Sequence, residues 1–532
     1  MSFRENTYQQ LSINDSFSGL TAREQKALEN SWAHVFATEV FPAIDEKRFS
    51  VLYSNTPSRP NAPVNVIVGA LIIKELFDYS DDEMVENLML DLHLQYALHT
   101  TSFEEQPLSD KTLSRFRKRC YDYETIHGVD LYHDCVNDLG AGIAKMMKLN
   151  GRIRRMDSMM IATNIRKLSR LELVYTCISK LVDYLKKHRP QLVTEQLMHY
   201  TQAEDYNRLF YHHRDEDNDK KEQLLLNDCG ELLRICGADF EDVTEYELLI
   251  RCVSEQTVIE NGTRRFCTKE DKQLNSQTMM NPSDPEATYR IKSGVVHRGY
   301  VANIEETVGE NGSVVTDYEY EPNIYSDTQF LRDRLEELPK QEEPLLLVTD
   351  GGYFSGQNRE TAAQKNIRLV TTGLTGQDAK DILNQFVYSE DLTRVVRCPA
   401  GNVPLSSCFI EYDGRIKNSF DKKQCENCPY KEQCKPRMRK RTALVFIYKS
   451  SIIRAQLQKQ IKSTEFRDYA RLRNGVETVP SNIRRNYHLE KLPRGKQRGK
   501  FFFGCKIAAL NFRKLFRYRK GWGNYASNPM LT

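Results

Sequence analysis

EPLLLVTDGGYFSG, residues 343–356, is the stretch that decides the fold. Its apolar run is typical of a buried β-strand, and the run stops at Asp350, which two glycines follow. A strand that ends in this way places a carboxylate at the open edge of a sheet, where a metal ion or a phosphate can reach it. Asp-Gly is also a common turn dipeptide, so this acid alone does not establish a site.

Two further acids give the strand a chemical meaning. Asp157 lies in RRMDSMMIATN and Glu477 in YARLRNGVETVPSNIRR, and both segments combine arginines with apolar residues. Taken singly, Asp157 can be a cap or the partner of a neighbouring arginine, and Glu477 a solvated helix residue. Converging carboxylates suit Mg²⁺ or Mn²⁺, because hard cations prefer oxygen ligands, and two ions about 3.5–4 Å apart serve phosphodiester chemistry. We therefore predict that the three acids meet.

Chain length and charge limit the classes of protein to which this sequence can belong. A chain of 532 residues with 40% hydrophobic content can bury a large core and divide into two to four units. The net charge of +3 hides an asymmetry, because the residues from Lys435 onward hold 25 Lys and Arg against four Asp and Glu. Such a region suits a polyanion such as DNA, with salt-dependent binding; the alternative is a solvated basic face.

Membrane insertion and several enzyme classes lack support. The most apolar stretch, 64–73, stops at Lys74, and the N-terminus has no signal-peptide pattern. We therefore expect no membrane partner and a cytoplasmic, nucleoid-associated protein. Neither a Walker-type loop nor an H-E-x-x-H motif occurs, so nucleotide-driven or zinc-protease chemistry is not indicated.

The N-terminal part divides into a lead at 1–60 and a helical unit at 61–150. Ser80 and Ser109 are predicted N-caps of two helices, of which the second is basic. Two helices joined in this way are typical of a helix-turn-helix DNA reader, although an ordinary surface helix fits the same pattern. The predicted DNA-binding residues of this second helix are Arg115, Arg117, Lys118 and Arg119.

The rest of the chain, 151–532, alternates strands and helices. A mainly helical insertion at 168–271 includes the charged segment RDEDNDKKEQ, which we interpret as a solvated loop. A hairpin follows, with its turn at Glu310-Asn311-Gly312, and then a helix, the Asp350 strand, a second helix and a further strand. This order predicts an α/β layer on a mixed sheet.

These segments together resemble the bacterial insertion-sequence transposases of the DDE type. The resemblance covers most of the chain: LSDKTLSRFRKR, DSMMIATN, RIKSGVVHRGY, VTDGGYFSG, RLRNGVET and the basic, aromatic end PRGKQRGKFFFGCKIAALNFRKL. It implies an RNase H-like catalytic domain with a mixed sheet, a helical insertion, a Cys-rich insertion at 390–445 and a basic C-terminal region at 446–520. An all-α domain similar to a helix-turn-helix would precede it.

The resemblance also implies roles for single residues. Asp157, Asp350 and Glu477 match the catalytic, metal-binding triad, and Arg473 matches an arginine four residues before the last acid. Arg484 stands where a lysine is usual. On one helix, both arginines would lie within about 40° of Glu477 and hold phosphates there.

The sequence departs from the signature of this family at two positions. Ala470 stands where a tyrosine is usual, with Tyr469 one position away, and Pro480 occupies a place that an uninterrupted helix does not favour. A kink near Pro480 would disturb the alignment of Arg484 with Glu477.

A cysteine cluster needs a separate explanation. Thiolates at C-x2-C-x5-C spacing, with CPAG upstream, can surround a tetrahedral ion. Unligated thiols and an iron-sulfur cluster are the alternatives. We favour structural zinc, in part because the resemblance includes this box, held by Cys398, Cys425, Cys428 and Cys434, with Cys408 as the spare.

The sequence therefore predicts a transposase that binds the terminal inverted repeats of an insertion sequence and catalyses metal-dependent cleavage and strand transfer of double-stranded DNA. Because two ends must be joined, we expect a homodimer in a synaptic complex. Arg494 and Arg498 complete the predicted DNA contacts. The alternatives are a non-catalytic DNA-binding protein derived from a transposase and a stand-alone Mg²⁺-dependent nuclease.

Overall fold

The structure is a computed structural model, and it describes residues 1–6, 16–100, 106–109, 111–211, 218–271, 273–292, 294–374, 376–487, 489 and 491–521. In these ranges no helix combines the length and the apolar character that a membrane span requires.

In the described ranges, seven α-helices precede the first strand, and groups of strands and helices follow it. The helices are α1 Ala22–Glu29, α2 Trp32–Val35, α3 Val64–Phe77, α4 Asp81–Leu90, α5 Leu92–Ala97, α6 Thr112–His127, α7 Leu131–Met146, α8 Arg170–His188, α9 Asp205–Phe210, α10 Asn218–Cys236, α11 Thr244–Gln256, α12 Asp327–Glu337, α13 Gly356–Gln364, α14 Lys422–Glu426, α15 Lys431–Cys434, α16 Lys449–Ile461, α17 Thr464–Asn474, α18 Thr478–Asn486 and α19 Lys496–Arg519. The strands are β1 Ile153–Thr163, β2 Thr257–Glu260, β3 Thr263–Phe266, β4 Thr288–Lys292, β5 Val295–Gly309, β6 Gly312–Pro322, β7 Leu345–Thr349, β8 Ile367–Thr371, β9 Val387–Tyr388, β10 Val395–Arg397, β11 Ser406–Ile410, β12 Arg415–Asp421, β13 Arg437–Met438, β14 Thr442–Tyr448 and β15 Lys491–Leu492.

The central sheet is mixed, as the sequence predicted. Its order is β4-β5-β1-β7-β8, with β6 on β5 and β15 on β1. Strands β1, β7 and β8 run parallel, whereas β5 is antiparallel to β1, β4 and β6. The predicted hairpin turn at 310–311 joins β5 to β6, and the run before it forms two strands, β4 and β5, instead of one.

The N-terminal helices agree only in part with the caps that we predicted. Ser80 caps α4 and forms a capping box with Glu83. The helix then stops because Asp91 caps α5. The prediction for Ser109 was wrong: α6 begins at Thr112, and no side chain caps it. The link 98–111 is also too long for the short turn of a helix-turn-helix between α5 and α6.

Helix α19 lies in the core, where it packs on α3, α7 and β6. Close approach requires glycine, since a Cβ on Gly504 would collide with the Tyr318 hydroxyl and one on Gly499 would lie 2.6 Å from that of Tyr320. The N-terminal helices, one face of the sheet and α19 share one apolar core. Packing is therefore continuous across residue 150, and the boundary placed there stays a prediction.

Three lysines of α19 are ion-paired inside the fold, so not every positive charge of the basic region 446–520 is available to a polyanion. Lys506 Nζ lies 2.6 Å from Glu75, and Lys500 Nζ lies 3.0 Å from Glu319. Lys514 Nζ lies 2.5 Å from Glu306, a fully buried acid. These charges offset acids from other elements, because a buried carboxylate needs a partner.

The two insertions have cores of their own. The first is built mainly from α8, α10 and α11. Within RDEDNDKKEQ, residues 214–217 lie outside the described part of the chain, and the loop prediction is wrong from Asn218 onward because α10 begins there. In the second insertion, a four-stranded sheet with the order β11-β12-β14-β13 precedes α16.

Acid should weaken the fold through Glu306. Arg155 and Lys514 lower the pKa of this buried carboxyl to about 2, despite its burial. A carboxyl whose pKa falls on folding stabilises the protein above its unfolded pKa, near 4.3, and that stabilisation is lost as the pH falls to about 2. Wild type should therefore lose on the order of 3 kcal/mol relative to Glu306→Gln over this range, measured by urea unfolding.

Glu310→Gln is the matched control, because Glu310 lies exposed in the adjacent turn. This variant keeps Glu306 and should lose stability in acid as wild type does. A pH-independent difference for Glu306→Gln would contradict the prediction.

Candidate active site

Strand register brings the first two acids together. Strands β1 and β7 run parallel, and Arg155 pairs with Val348. Asp157 and Asp350 each stand two residues further along, so they reach the same edge of the sheet side by side. The sequence expectation that Asp350 ends a buried strand is confirmed.

Glu477 reaches the same edge from a helical segment. Helix α17 ends at Asn474, a 3-10 turn spans Gly475–Glu477, and α18 follows. The irregularity thus falls at Gly475–Glu477 and not at Pro480, which occupies the first turn of α18, where a missing N–H costs no hydrogen bond.

Arg473 contacts all three acids. Its Nη2 lies 3.2 Å from Asp157 Oδ1 and 3.7 Å from Asp350 Oδ2, and its Nη1 donates to Glu477. One guanidinium therefore sits among the three predicted carboxylates. This arrangement offsets their mutual repulsion, which would otherwise oppose their convergence.

The solvent exposure of the side chain increases from the first acid to the third. The side chains of Asp157, Asp350 and Glu477 are 12%, 37% and 57% exposed. Burial raises the pKa of Asp157 to about 6, with a further rise from Asp350, against the lowering effect of Arg473. The deepest acid therefore depends most on a nearby cation to stay ionised.

Backbone N–H groups fix Asp157, which lies within β1, and Asp350, which follows the end of β7. Asp157 Oδ1 accepts from the backbone N–H of Ser158 at 2.9 Å, and Asp350 Oδ1 from that of Gly352 at 2.8 Å. A Cβ on Gly351 would lie 2.6 Å from the carbonyl oxygen of Gly373. The Asp-Gly-Gly sequence is thus both the turn and the support of the acid.

Arg155 fastens α17 to the sheet. Its Nη1 donates to the carbonyl of Leu472 at 2.7 Å and its Nε to Glu306 at 2.8 Å. A Cβ at Gly475 would overlap this guanidinium. The sequence RNGVE therefore needs its glycine so that Arg473 and Glu477 can approach the edge of the sheet.

Two segments of the chain match known protein families. Residues 397–516 match the family described as Transposase DDE domain, and residues 23–119 match the one described as Transposase domain (DUF772). The chain is a DDE-type transposase. The first match includes Glu477, whereas Asp157 and Asp350 lie outside both.

The transposase gives no match among curated proteins. Among solved structures, a cryo-EM piggyBac transposase synaptic complex with hairpin DNA aligns at 8% identity over 94% of this chain and 77% of that one. The TM-score is 0.31, so no argument on fold or function rests on that likeness.

A groove of about 440 Å³ opens beside the acids of the transposase. Asp157 and Glu477 line it together with Arg484, which donates to the carbonyl of Met160 at 3.2 Å. Sequence reasoning missed the other groove residues that carry polar or charged side chains. They are Ser158, Lys292, His297, Ser481 and Arg485. The signal for Lys292 and His297 was the basic character of RIKSGVVHRGY, which we interpreted only as strand, and Arg485 directly follows the predicted Arg484.

The predicted DNA-binding residues of α6 differ in their surroundings. Arg117 pairs with Asp81 inside the fold, and Lys118 pairs with Asp122 on the surface. Arg115 lines a cleft of about 400 Å³ with Arg119, whose guanidinium lies 4.6 Å from the ring centre of Tyr53. The internal ion pair makes Arg117 a structural residue in this state.

The remaining predicted contacts lie near the start of α19. Arg494 is exposed and donates through Nε to the carbonyl of Asn164 at 2.7 Å, just beyond β1. Arg498 is exposed in the first turn of the helix. Neither belongs to the groove beside the acids.

The four cysteines predicted as zinc ligands face one cavity of about 20 Å³. Burial and the neighbouring thiols raise the pKa of Cys434 to about 11. Cys408 is exposed on β11, away from the cavity. Within the described ranges, no three His, Cys, Asp or Glu side chains come close enough to hold an ion. The thiols therefore face the cavity without closing on it, and Asp157, Asp350 and Glu477 around Arg473 are likewise not at metal-binding distance from one another.

Gly475→Ala should destabilise the transposase by about 1–3 kcal/mol, because the methyl group must displace the buried Arg155 guanidinium. Urea unfolding measures the loss. Gly356→Ala, at the first residue of α13 with open space around it, is the control and should change little. Equal effects at both positions would show that the contact with Arg155 is unimportant.

Proposed function

We propose that the transposase binds the terminal inverted repeats of its own element and catalyses DNA cleavage and strand transfer at the edge of an RNase H-like sheet. One observation carries the proposal. Three acids from separate parts of the chain surround a single cation, Arg473, at the mouth of a groove with basic residues. A purely structural ion pair has no need of three carboxylates at a sheet edge.

Asp157, Asp350 and Glu477 are the proposed ligands of Mg²⁺ or Mn²⁺. Their oxygens suit hard cations, and a guanidinium already offsets part of their negative charge. When bound, such ions supply charge neutralisation at the scissile phosphate and an activated attacking oxygen. Since Arg473 occupies the space among the carboxylates, it must give up some of these contacts when metal binds.

Arg473 and α18 are the proposed phosphate-binding residues. The Nε of Arg473 is buried and has no hydrogen-bond partner among the residues described. Arg484 and Arg485 line the groove on the side of α18. A guanidinium released from the acids would remain beside them and could donate to a phosphate oxygen.

Cleavage and joining make the same demand on the protein. In both steps an oxygen nucleophile attacks a phosphorus atom, and the groove must hold the strand in line with the acids. No covalent protein intermediate is required. Because two element ends must meet, we propose that a homodimer holds them in a synaptic complex.

Asp350→Asn should abolish cleavage and joining of DNA that carries the element's own ends, with at least about a 10³-fold loss of rate. The Mg²⁺- or Mn²⁺-dependent strand assay measures it. End-specific binding should persist, since removing a carboxylate does not weaken phosphate contacts. The matched control is Asp378→Asn, outside the groove.

Two other outcomes would overturn the assignment. End-specific binding without cleavage by wild type favours the non-catalytic DNA-binding protein. Cleavage without joining favours the stand-alone nuclease.

We further propose a structural zinc site in the Cys-rich insertion. Four thiols line one small cavity, and thiolates are the donors that zinc prefers in closed structural sites. Cys398, Cys425, Cys428 and Cys434 would hold the ion. Its role would be to stabilise the insertion, because an all-thiolate site is poor at Mg²⁺ chemistry.

Cys428→Ser should lower the zinc content of the purified protein from one ion per chain and make 390–445 protease-sensitive, because the thiolate set is broken. Elemental analysis and limited proteolysis measure the two effects. Cys408→Ser is the control and should retain the metal. Two or four irons per chain together with inorganic sulfide would replace zinc by an iron-sulfur cluster, and no metal in wild type would remove the site.

A further inference from the structure

The β4–β5 hairpin leaves the central sheet beside the acids. At Gly299 the backbone has φ +130°, and a Cβ there would lie 2.5 Å from the carbonyl oxygen of Ile161. Gly299 pairs with both β1 and β4, so the hairpin departs from the sheet at this residue. Its far end returns to the catalytic groove, where Lys292 and His297 line the wall.

One face of the hairpin is basic. Cross-strand pairing sets Arg290 opposite His297 and Lys292 opposite Val295, and alternation puts these side chains on one face. The segment ATYRIKSGVVHR holds no acid. Such a face attracts phosphate and has no carboxylate of its own to compete with it.

The tip of the hairpin is apolar and exposed. Ile291, Val295 and Val296 are 62%, 56% and 41% exposed. Ile291 pairs with Val296 on the face opposite to the basic one, and Val295 lies beside Lys292 on the basic face, so exposed apolar side chains occupy both faces of the tip. Apolar side chains grouped in water at the end of an element indicate a partner surface. Here basic residues and the catalytic groove adjoin it.

Helix α18 lines the same groove as the hairpin. Ser481, Arg484 and Arg485 contribute to it together with Asp157 and Glu477. A DNA strand that reached the acids through this groove would therefore meet basic residues of both elements. The hairpin tip would meet the bases of that strand, because its flanking cations would hold the phosphates.

We propose that the β4–β5 hairpin is a wedge that opens the DNA end. Lys292 and His297 bind the backbone of the strand leading to the acids, and the tip packs against bases unstacked at the terminal base pair. Apolar side chains at the end of a basic element can separate base steps in this way. The inference rests on the proposed function, since it needs DNA in this groove.

The test uses the full-length protein and the element's end with 2-aminopurine at the terminal base pair. Binding of wild type should raise the fluorescence, because the base leaves the stack. The triple variant Ile291→Ser, Val295→Ser, Val296→Ser should bind with little change in Kd and give no rise. Its cleavage rate should fall on the order of tenfold and recover on an end with mismatched terminal pairs.

Ile259→Ser is the matched control, because Ile259 is 67% exposed on the separate β2–β3 hairpin. This variant should give the wild-type rise in fluorescence and the wild-type cleavage rate. That result would show that the effect belongs to the β4–β5 hairpin and does not follow from the loss of any exposed apolar side chain. Lys292→Ala should reduce the slope of log K against log salt by about one, as expected for one lost phosphate contact.

The outcomes separate the two proposals. A triple variant with the wild-type fluorescence rise, or with a cleavage defect that mismatched ends do not restore, overturns the wedge while the transposase chemistry stands. If wild type neither binds nor cleaves its own ends, the proposed function fails and the wedge fails with it.

Discussion

The site depends on the guanidinium of Arg473 among three carboxylates. Asp157, Asp350 and Glu477 repel one another, and burial of Asp157 makes its charge costly. A cation that reaches all three allows the strands and α17 to bring them together before any ligand binds. The site is therefore pre-assembled with a protein cation where metal ions are proposed to act.

A second cationic layer holds that arrangement. Arg155 links the buried Glu306 to the carbonyl end of α17, and Lys514 of α19 completes the pairing. The C-terminal helix thereby contributes to the sheet whose edge carries the acids. Lysines of α19 that add to the positive charge of the C-terminal region thus serve the fold, and the arginines of α18 that are proposed to contact DNA lie at the groove.

Local sequence patterns predicted some elements of the fold correctly and others wrongly. The Asp350 strand, the mixed sheet and the β5–β6 hairpin followed from local pattern, since apolar runs and turn residues act within a few positions. The Ser109 cap and the loop at 218–223 were wrong, because tertiary packing overrides weak local propensity. The contribution of β4–β5 to the groove was missed, since local sequence does not show which distant residues a hairpin lies against.

The sequence by itself determined the chemistry: which acids stand at the ends of predicted elements, and that thiols cluster near the C-terminal third. Only the tertiary structure decided which of these residues contact one another. The register of Arg155 with Val348 aligns Asp157 with Asp350, and Gly475 lets α17 approach close enough for Arg473 to reach both. Those contacts join residues more than a hundred positions apart, and such distances are fixed by packing, which no local pattern records.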